Sequence, residues 1–339
     1  MITRSEYEKD ILQQPNALSE QLHYALPAEL SELDVRSYER IVLAGMGSSD
    51  YALIPIERRL IELGLPVWRI DAGRLLDMPA LVTENTLLWM TSQSGMSGEV
   101  VRLLDCICQP RTLIGVTNDI DSTLAQRADI LVELRSGEEA TVSAKSYLNT
   151  LVASYRILNV LTGEAEQPLL DRLYNCLGDI ATLVTETTSA QSLADTFFCR
   201  TKPRLVMIGI GADAATAMTG ALITKESSKV STEGFIGGEF RHGPMETSGE
   251  QMTALLFGDG SEPTLIQLSQ DLNSNGTQVI TVGPCAYPGS QLLTTPGDDE
   301  LVRLIFAMLH VQQLTVTLAR GNGMVPGEFL YGKKITVTV

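Results

Sequence analysis

The chain is predicted to fold as two tandem α/β domains, each a doubly wound parallel sheet with helices on both faces, a three-layer αβα arrangement. Three observations predict this. RIVLAGMGSSDYA from Arg40 recurs as RLVMIGIGADAAT from Arg204, 164 residues further on. TLLWMTSQSG from Thr86 is then echoed by MTALLFGDG from Met252, and TLIGVTND from Thr112 by TQVITVGP from Thr277, in the same order. Finally, continuous apolar runs of this kind alternate with amphipathic stretches such as residues 51–63 and 97–108, as expected for parallel strands covered on both faces. A length of 339 residues suits two domains of ordinary size.

Each element follows in order. Residues 1–35 read as an N-terminal helical segment and 36–160 as the first domain. A more polar helical linker covers 161–195, and the second domain covers 196–339. Both domains open with a β-branched apolar strand, a Gly-x-Gly turn and a helix-compatible stretch. In such sheets ligands sit at the carboxyl ends of the strands, where loops meet helix N-termini.

In the first domain, Thr91-Ser-Gln-Ser-Gly-Met-Ser97 falls directly after the strand LLWM and before a helix predicted over 98–108. Its hydroxyls, its glycine and the free N–H groups of a helix start make a neutral anion cradle suited to a phosphate. The alternative is a serine-rich N-cap. Gly45-Met-Gly-Ser-Ser-Asp50 lacks the third glycine of a dinucleotide fingerprint, and Gly209-Ile-Gly-Ala-Asp-Ala214 fits only by letter, without an acidic strand end after it. No organic cofactor is expected.

In the second domain, Ala214, Met218, Leu222, Glu226 and Val230 recur every four residues and predict one largely apolar helical row. Glu226 is the exception in it, placed as a general acid or base or else paired with Lys225 or Lys229. Sixteen residues later, His242 lies in a turn signalled by glycine and proline, as a structural residue or a proton carrier. His23 and His310 fall in helical stretches and read as packing or surface residues. Without a His/Cys cluster, no metal site is expected.

Lysine and arginine number 25 against 41 aspartate and glutamate, a net charge of −16. That field repels nucleic acid and anionic membranes, so neither is an expected partner, and a phosphorylated ligand needs a local pocket. MITRSEYEKDI has no apolar core like that of a signal peptide, and the best membrane-like run, LIFAMLHV, is too short to span. Five cysteines without a CxxC pair predict a reduced, cytoplasmic protein whose thiols are packing residues.

SQSG at 92–95, the Gly-Ser-Ser turn at 47–49, EFRHGP at 239–244 and the two-fold α/β repeat together resemble the sugar isomerase (SIS) family. The likeness is to the isomerase half of glucosamine-6-phosphate synthase and to stand-alone deglycases of fructoselysine and glucoselysine 6-phosphate. It runs from EKDILQQPNAL at Glu8 to KKITVTV at the end. The resemblance implies that Ser49, Ser92, Gln93, Ser94 and Ser97 form a sugar-phosphate pocket and that Ser143 contacts the sugar. It implies that Glu226 moves a proton between C1 and C2, that His242 opens the sugar ring from a neighbouring subunit, and that Lys334, or its neighbour Lys333, assists at the carbonyl. A homodimer or larger homo-oligomer with shared sites follows.

Departures from the family narrow the expected function. No glutaminase portion accompanies the chain, position 2 is not cysteine, Ile223 stands where the synthase carries a lysine, and Met96 replaces an acidic residue. The expected activity is a metal- and cofactor-free deglycase. It would cleave a 6-phosphorylated Amadori compound to hexose 6-phosphate and a free amine. The alternatives are an amino-sugar phosphate deaminase or isomerase, and a sugar-phosphate sensor without turnover.

Overall fold

The computed structural model describes residues 3–336. The first two residues and residues 337–339, which end the KKITVTV stretch, lie outside the described residues. Two compact units are present. The first comprises Gln13–Glu139, Ser143–Leu177 and Tyr331–Val339, and the second Met1–Leu12, Ala140–Val142 and Gly178–Leu330.

The helix α1 (Glu6–His23) precedes both sheets. In the first unit the strands are β1 (Arg40–Gly45), β2 (Val67–Asp71), β3 (Thr86–Thr91), β4 (Thr112–Thr117) and β5 (Ile130–Glu133). The helices are α2 (Ser48–Tyr51), α3 (Ile54–Glu62), α4 (Ala72–Asp77), α5 (Gly98–Cys106), α6 (Thr123–Arg127), α7 (Lys145–Thr162) and α8 (Gln167–Leu183), the last of which runs on past the unit boundary. All five strands are parallel, in the order β2-β1-β3-β4-β5. Every residue of β3 and β4 is buried, as a central parallel strand under two helical layers requires. Val42, Leu88, Met90, Val100, Leu103 and Leu124 close the core on one face of the sheet. Arg156 of α7 is buried against α1, its guanidinium donating to the Gln21 side chain at 2.8 Å and the Tyr24 carbonyl at 2.7 Å and pairing with Glu166. A buried cation is tolerated only when its donors are satisfied in this way.

The second unit repeats the scheme. Its elements are α9 (Thr188–Phe198), β6 (Arg204–Gly209), α10 (Ala214–Ser228), β7 (Thr232–Ile236), β8 (Met252–Phe257), α11 (Pro263–Ser274), β9 (Gln278–Gly283), β10 (Gln291–Thr294) and α12 (Glu300–Gly321). The strands are again all parallel, in the order β10-β9-β8-β6-β7. Read from the other edge, this is the order of the first sheet. The repeated Gly-x-Gly turns serve the same purpose in both: a Cβ on Gly45 would lie 2.8 Å from the Asp50 amide, and one on Gly209 2.4 Å from the Asp213 carbonyl. Each turn ends in a buried aspartate met by an arginine. Asp50 pairs with Arg69 at 2.5 Å, and Asp213 accepts two bonds from Arg303 at 3.0 and 2.9 Å.

Four sequence expectations are corrected. The helix after the serine loop ends at Cys106. α10 is buried nearly all round, so the row holding Met218, Leu222 and Glu226 is its less buried side, not an apolar stripe facing the core. Cys106, Cys108, Cys199 and Cys285 are exposed, so these four thiols are not packing residues, while Cys176 is half-buried. The apolar stretch beginning near LIFAMLHV extends through α12, which by length and composition could cross a membrane, yet 94% of its apolar window is buried in the protein. The apolar pattern continues past Val311 because α12 is packed against α9 and α10 as a core helix.

Candidate active site

Strand order fixes where a ligand can approach. In a 2-1-3-4-5 sheet the connections leave β1 and β3 in opposite directions, which opens a crevice at their carboxyl ends. Ala44 pairs with Met90, so the turn after β1 and the loop after β3 begin side by side. Ser49 lies in α2 at the first of these, and Ser92, Gln93, Ser94 and Ser97 at the second. The structure therefore brings these five residues to one edge.

The serine loop is tightly made. Ser92 is buried, and its hydroxyl accepts the Gly95 amide at 3.1 Å. The Ser94 hydroxyl accepts the Met96 amide at 3.2 Å, and the Gln93 carbonyl accepts from the Thr117 hydroxyl at 3.2 Å. Gly95 has φ +61°, and a Cβ there would sit 2.1 Å from the Ser122 hydroxyl, so no other residue fits. Ser97 is the N-cap of α5, yet its side chain caps nothing, and its buried hydroxyl has no partner among the described residues. A buried unpartnered hydroxyl at a helix start is the feature an incoming phosphate oxygen would satisfy. The Gly98 amide beside it is used, donating at 2.8 Å to the Thr336 carbonyl of the C-terminal segment.

The same unit joins Ser143 to Lys334. The Ser143 and Ser146 hydroxyls are 2.9 Å apart, Ser146 donates to a Glu139 carboxylate oxygen at 2.6 Å, and the Lys334 ammonium reaches that oxygen at 2.6 Å. Lys333 is exposed. Glu139 had no place in the sequence reading. The signal was the acidic pair in EEATVSAKSY just before Ser143, but nothing in the letters separates a buried carboxylate from a solvated one.

Glu226 and His242 lie in the second unit. Glu226 is in the last turn of α10, half-buried. The end of that helix is secured by outside donors. Lys229, at φ +60°, directs its ammonium to the Glu226 and Glu328 main-chain carbonyls; the Gly327 amide reaches the Ser227 carbonyl at 3.3 Å; and the Asn322 amide group reaches the Ser228 carbonyl at 3.0 Å. Burial lowers the Lys229 pKa, opposed by Glu226 and Glu328.

The EFRHGP segment folds around its neighbours and leaves the imidazole out. Glu239 accepts the Ile236 amide at 3.1 Å, Phe240 is fully buried edge-on to Phe235, and Arg241 pairs with Asp271 at 2.7 Å. His242 uses its backbone amide to bond the Glu239 carbonyl at 3.0 Å, while its side chain is exposed and has no hydrogen-bond partner among the described residues. The ring is thus not spent on capping the turn. Among the described residues, no group of three His, Cys, Asp or Glu is placed to hold a metal.

The comparisons agree with this architecture. The SIS domain family model matches residues 199–292. Glutamine–fructose-6-phosphate aminotransferase [isomerizing] of Methanocaldococcus jannaschii is 25% identical over 315 residues, covering 88% of this chain and 28% of that protein. The chain spans 28% of the length of that relative and 56% of the corresponding enzyme of Clostridium acetobutylicum. Among solved structures, the C-terminal domain of glucosamine-fructose-6-phosphate aminotransferase from Francisella tularensis superposes with a TM-score of 0.83 at 19% identity, over 96% of this chain and 99% of that one. Glucosamine-6-phosphate deaminase from Thermotoga maritima gives 0.70 at 19% identity, over 98% and 99%. Residues 199–292 match the SIS domain family, and the chain as a whole has the two-sheet αβα fold of the solved structures it resembles.

Proposed function

We propose that the protein is a phosphosugar deglycase that cleaves a 6-phosphorylated Amadori compound to hexose 6-phosphate and a free amine. The observation that carries the phosphosugar reading is the uncapped start of α5, with the buried, unpartnered Ser97 hydroxyl beside Ser92 and Ser94. Such a loop holds the phosphate through neutral donors and helix amides, which a chain of net charge −16 needs. The exposed ring of His242 opens the sugar. Glu226 then takes the C1 proton of the open-chain ketosamine, giving an enaminol, and returns a proton to C2. The product is a C1 Schiff base that water hydrolyses to aldose 6-phosphate and amine. Lys334 donates a hydrogen bond to the oxygen that gains charge, and each step is acid/base chemistry at a positioned carbon.

The likeness to a glucosamine-6-phosphate deaminase over 98% of the chain favours a second reading, in which the same groups act on an amino-sugar phosphate and ammonia leaves. Incubation with fructoselysine 6-phosphate, glucoselysine 6-phosphate and glucosamine 6-phosphate, followed by identification of the amine released, decides. Free lysine is expected; ammonia alone would replace the first reading with the second. Ligand binding with no turnover of any of the three would leave a sensor. We also propose a homo-oligomer in which His242 serves a neighbour's site, and an active monomer in gel filtration would overturn that.

A further inference from the structure

We infer that Glu139 is a positioning residue that fixes Lys334 and Ser143 for the reaction through one buried carboxylate. The inference rests on the reading that Lys334 and Ser143 work on the sugar. Glu139 has a fully buried side chain, and both of its oxygens are used twice. One accepts the Ala144 amide at 2.9 Å and the Ser146 amide at 3.0 Å; the other accepts the Ser146 hydroxyl and the Lys334 ammonium, each at 2.6 Å.

These bonds divide into two sets. The amides belong to the start of α7, whose N-cap is Ala144 and has no side chain able to cap it, so Glu139 supplies the missing acceptor from five residues upstream. Those bonds hold the carboxylate rigid. The remaining oxygen is then a fixed point from which Lys334 is held directly and Ser143 through Ser146. A lysine has four rotatable bonds, and confining its ammonium by a charge-assisted bond removes most of that freedom before substrate arrives. Lys333 has no such anchor and is exposed.

A carboxylate that only capped α7 would be indifferent to Lys334, and the full-length protein can be made to show the difference. Glu139→Gln keeps an oxygen for the α7 amides but turns an NH2 group toward the ammonium. Brief labelling with acetic anhydride, read at each lysine by mass spectrometry, is expected to modify Lys333 at least about fivefold more than Lys334 in the natural protein, and the two within about twofold in Glu139→Gln. Far-UV circular dichroism should be unchanged. Turnover of fructoselysine 6-phosphate by Glu139→Gln should fall about tenfold in kcat, with KM within about twofold, as expected for lost positioning.

Equal labelling of the two lysines in the natural protein overturns the inference and needs no variant. So does a folded Glu139→Gln that keeps the natural ratio. If Glu139→Gln fails to fold, Glu139→Asp, which keeps the charge but draws the carboxylate one methylene back from the ammonium, must raise Lys334 labelling; an unchanged ratio again overturns it. If the natural protein turns over none of the phosphorylated substrates, the deglycase and deaminase readings fall while the labelling still decides the tether.

Discussion

In the first unit β3 runs into the serine loop and an α5 whose N-cap hydroxyl is left without a partner; in the second, β8 runs into residues 258–262, where the serine hydroxyl and the first free helix amide are already taken. There Asp259 accepts the Ser261 amide at 2.8 Å and its hydroxyl at 2.7 Å, Glu262 caps the Thr264 amide at 3.1 Å, and Pro263 opens α11 without an N–H at all. Those bonds from Ser261 lower the Asp259 pKa, so the loop carries its own anion. One topology has thus been given opposite electrostatics. The first unit leaves the Ser97 hydroxyl without a partner and the second places carboxylates in the matching loop, while the groups proposed to react, Glu226 and His242, lie on α10 and in the 237–243 turn.

The largest test of this division is Glu226→Gln, which should lower kcat on the accepted substrate by about a thousandfold. Isothermal titration should find sugar-phosphate affinity within about threefold of the natural protein; a collapse of affinity would mean that the second unit binds as well as reacts. Next come the aspartate–arginine pairs found separately within each unit. Arg303→Met and Arg69→Met should each cost roughly 3 kcal/mol in urea unfolding, since each takes the cation away from a buried aspartate. Burial already pushes the Asp50 carboxyl upward despite Arg69, so the Arg69 variant should regain stability as pH falls and that carboxyl takes a proton. An Arg69 variant whose stability fell further in acid would contradict this.

Ser97→Ala should weaken sugar-phosphate binding about tenfold by removing one charge-assisted bond, whereas Asp259→Asn in the matching loop should change it less than about twofold. Equal losses would erase the contrast between the loops. The smallest effect concerns His310 of α12, half-buried with its ring 2.9 Å from the Thr294 carbonyl. Burial holds its pKa below the ordinary 6.5, against the pull of Thr294 and Glu186. The unfolded chain therefore binds the extra proton first, and stability is full above pH 6.5 and lost as pH falls through it. His310→Gln should remove an acid-side loss of roughly 2 °C in Tm; an unchanged slope would place that loss in another group.

Much of this was legible in the letters because periodicity reports burial. The paired apolar runs at Arg40 and Arg204, and those at Thr86 and Met252, each appear as strands in matching positions, since a parallel strand covered on both faces has no polar side to show. The serine loop was readable because the chain places it directly after its strand. Glu226 stood out for a reason the structure revises: it lies on the less buried side of a helix that is buried nearly all round, a case in which a four-residue row cannot tell site from core. α12 was underread because a buried core helix and a membrane span share one composition.

The sequence by itself determined two doubly wound sheets, their order along the chain and the serine loop after β3, because local propensity and burial pattern act over a dozen residues at a time. Tertiary structure alone decided which carboxylate meets which cation: Glu139 with Lys334, 195 residues apart, and Asp213 with Arg303, 90 apart. It also decided that residues 331–336 belong to the first unit. The physical reason is range. A hydrogen bond is satisfied by whichever group the completed fold delivers to it, and that delivery depends on contacts between segments whose separation no local pattern records.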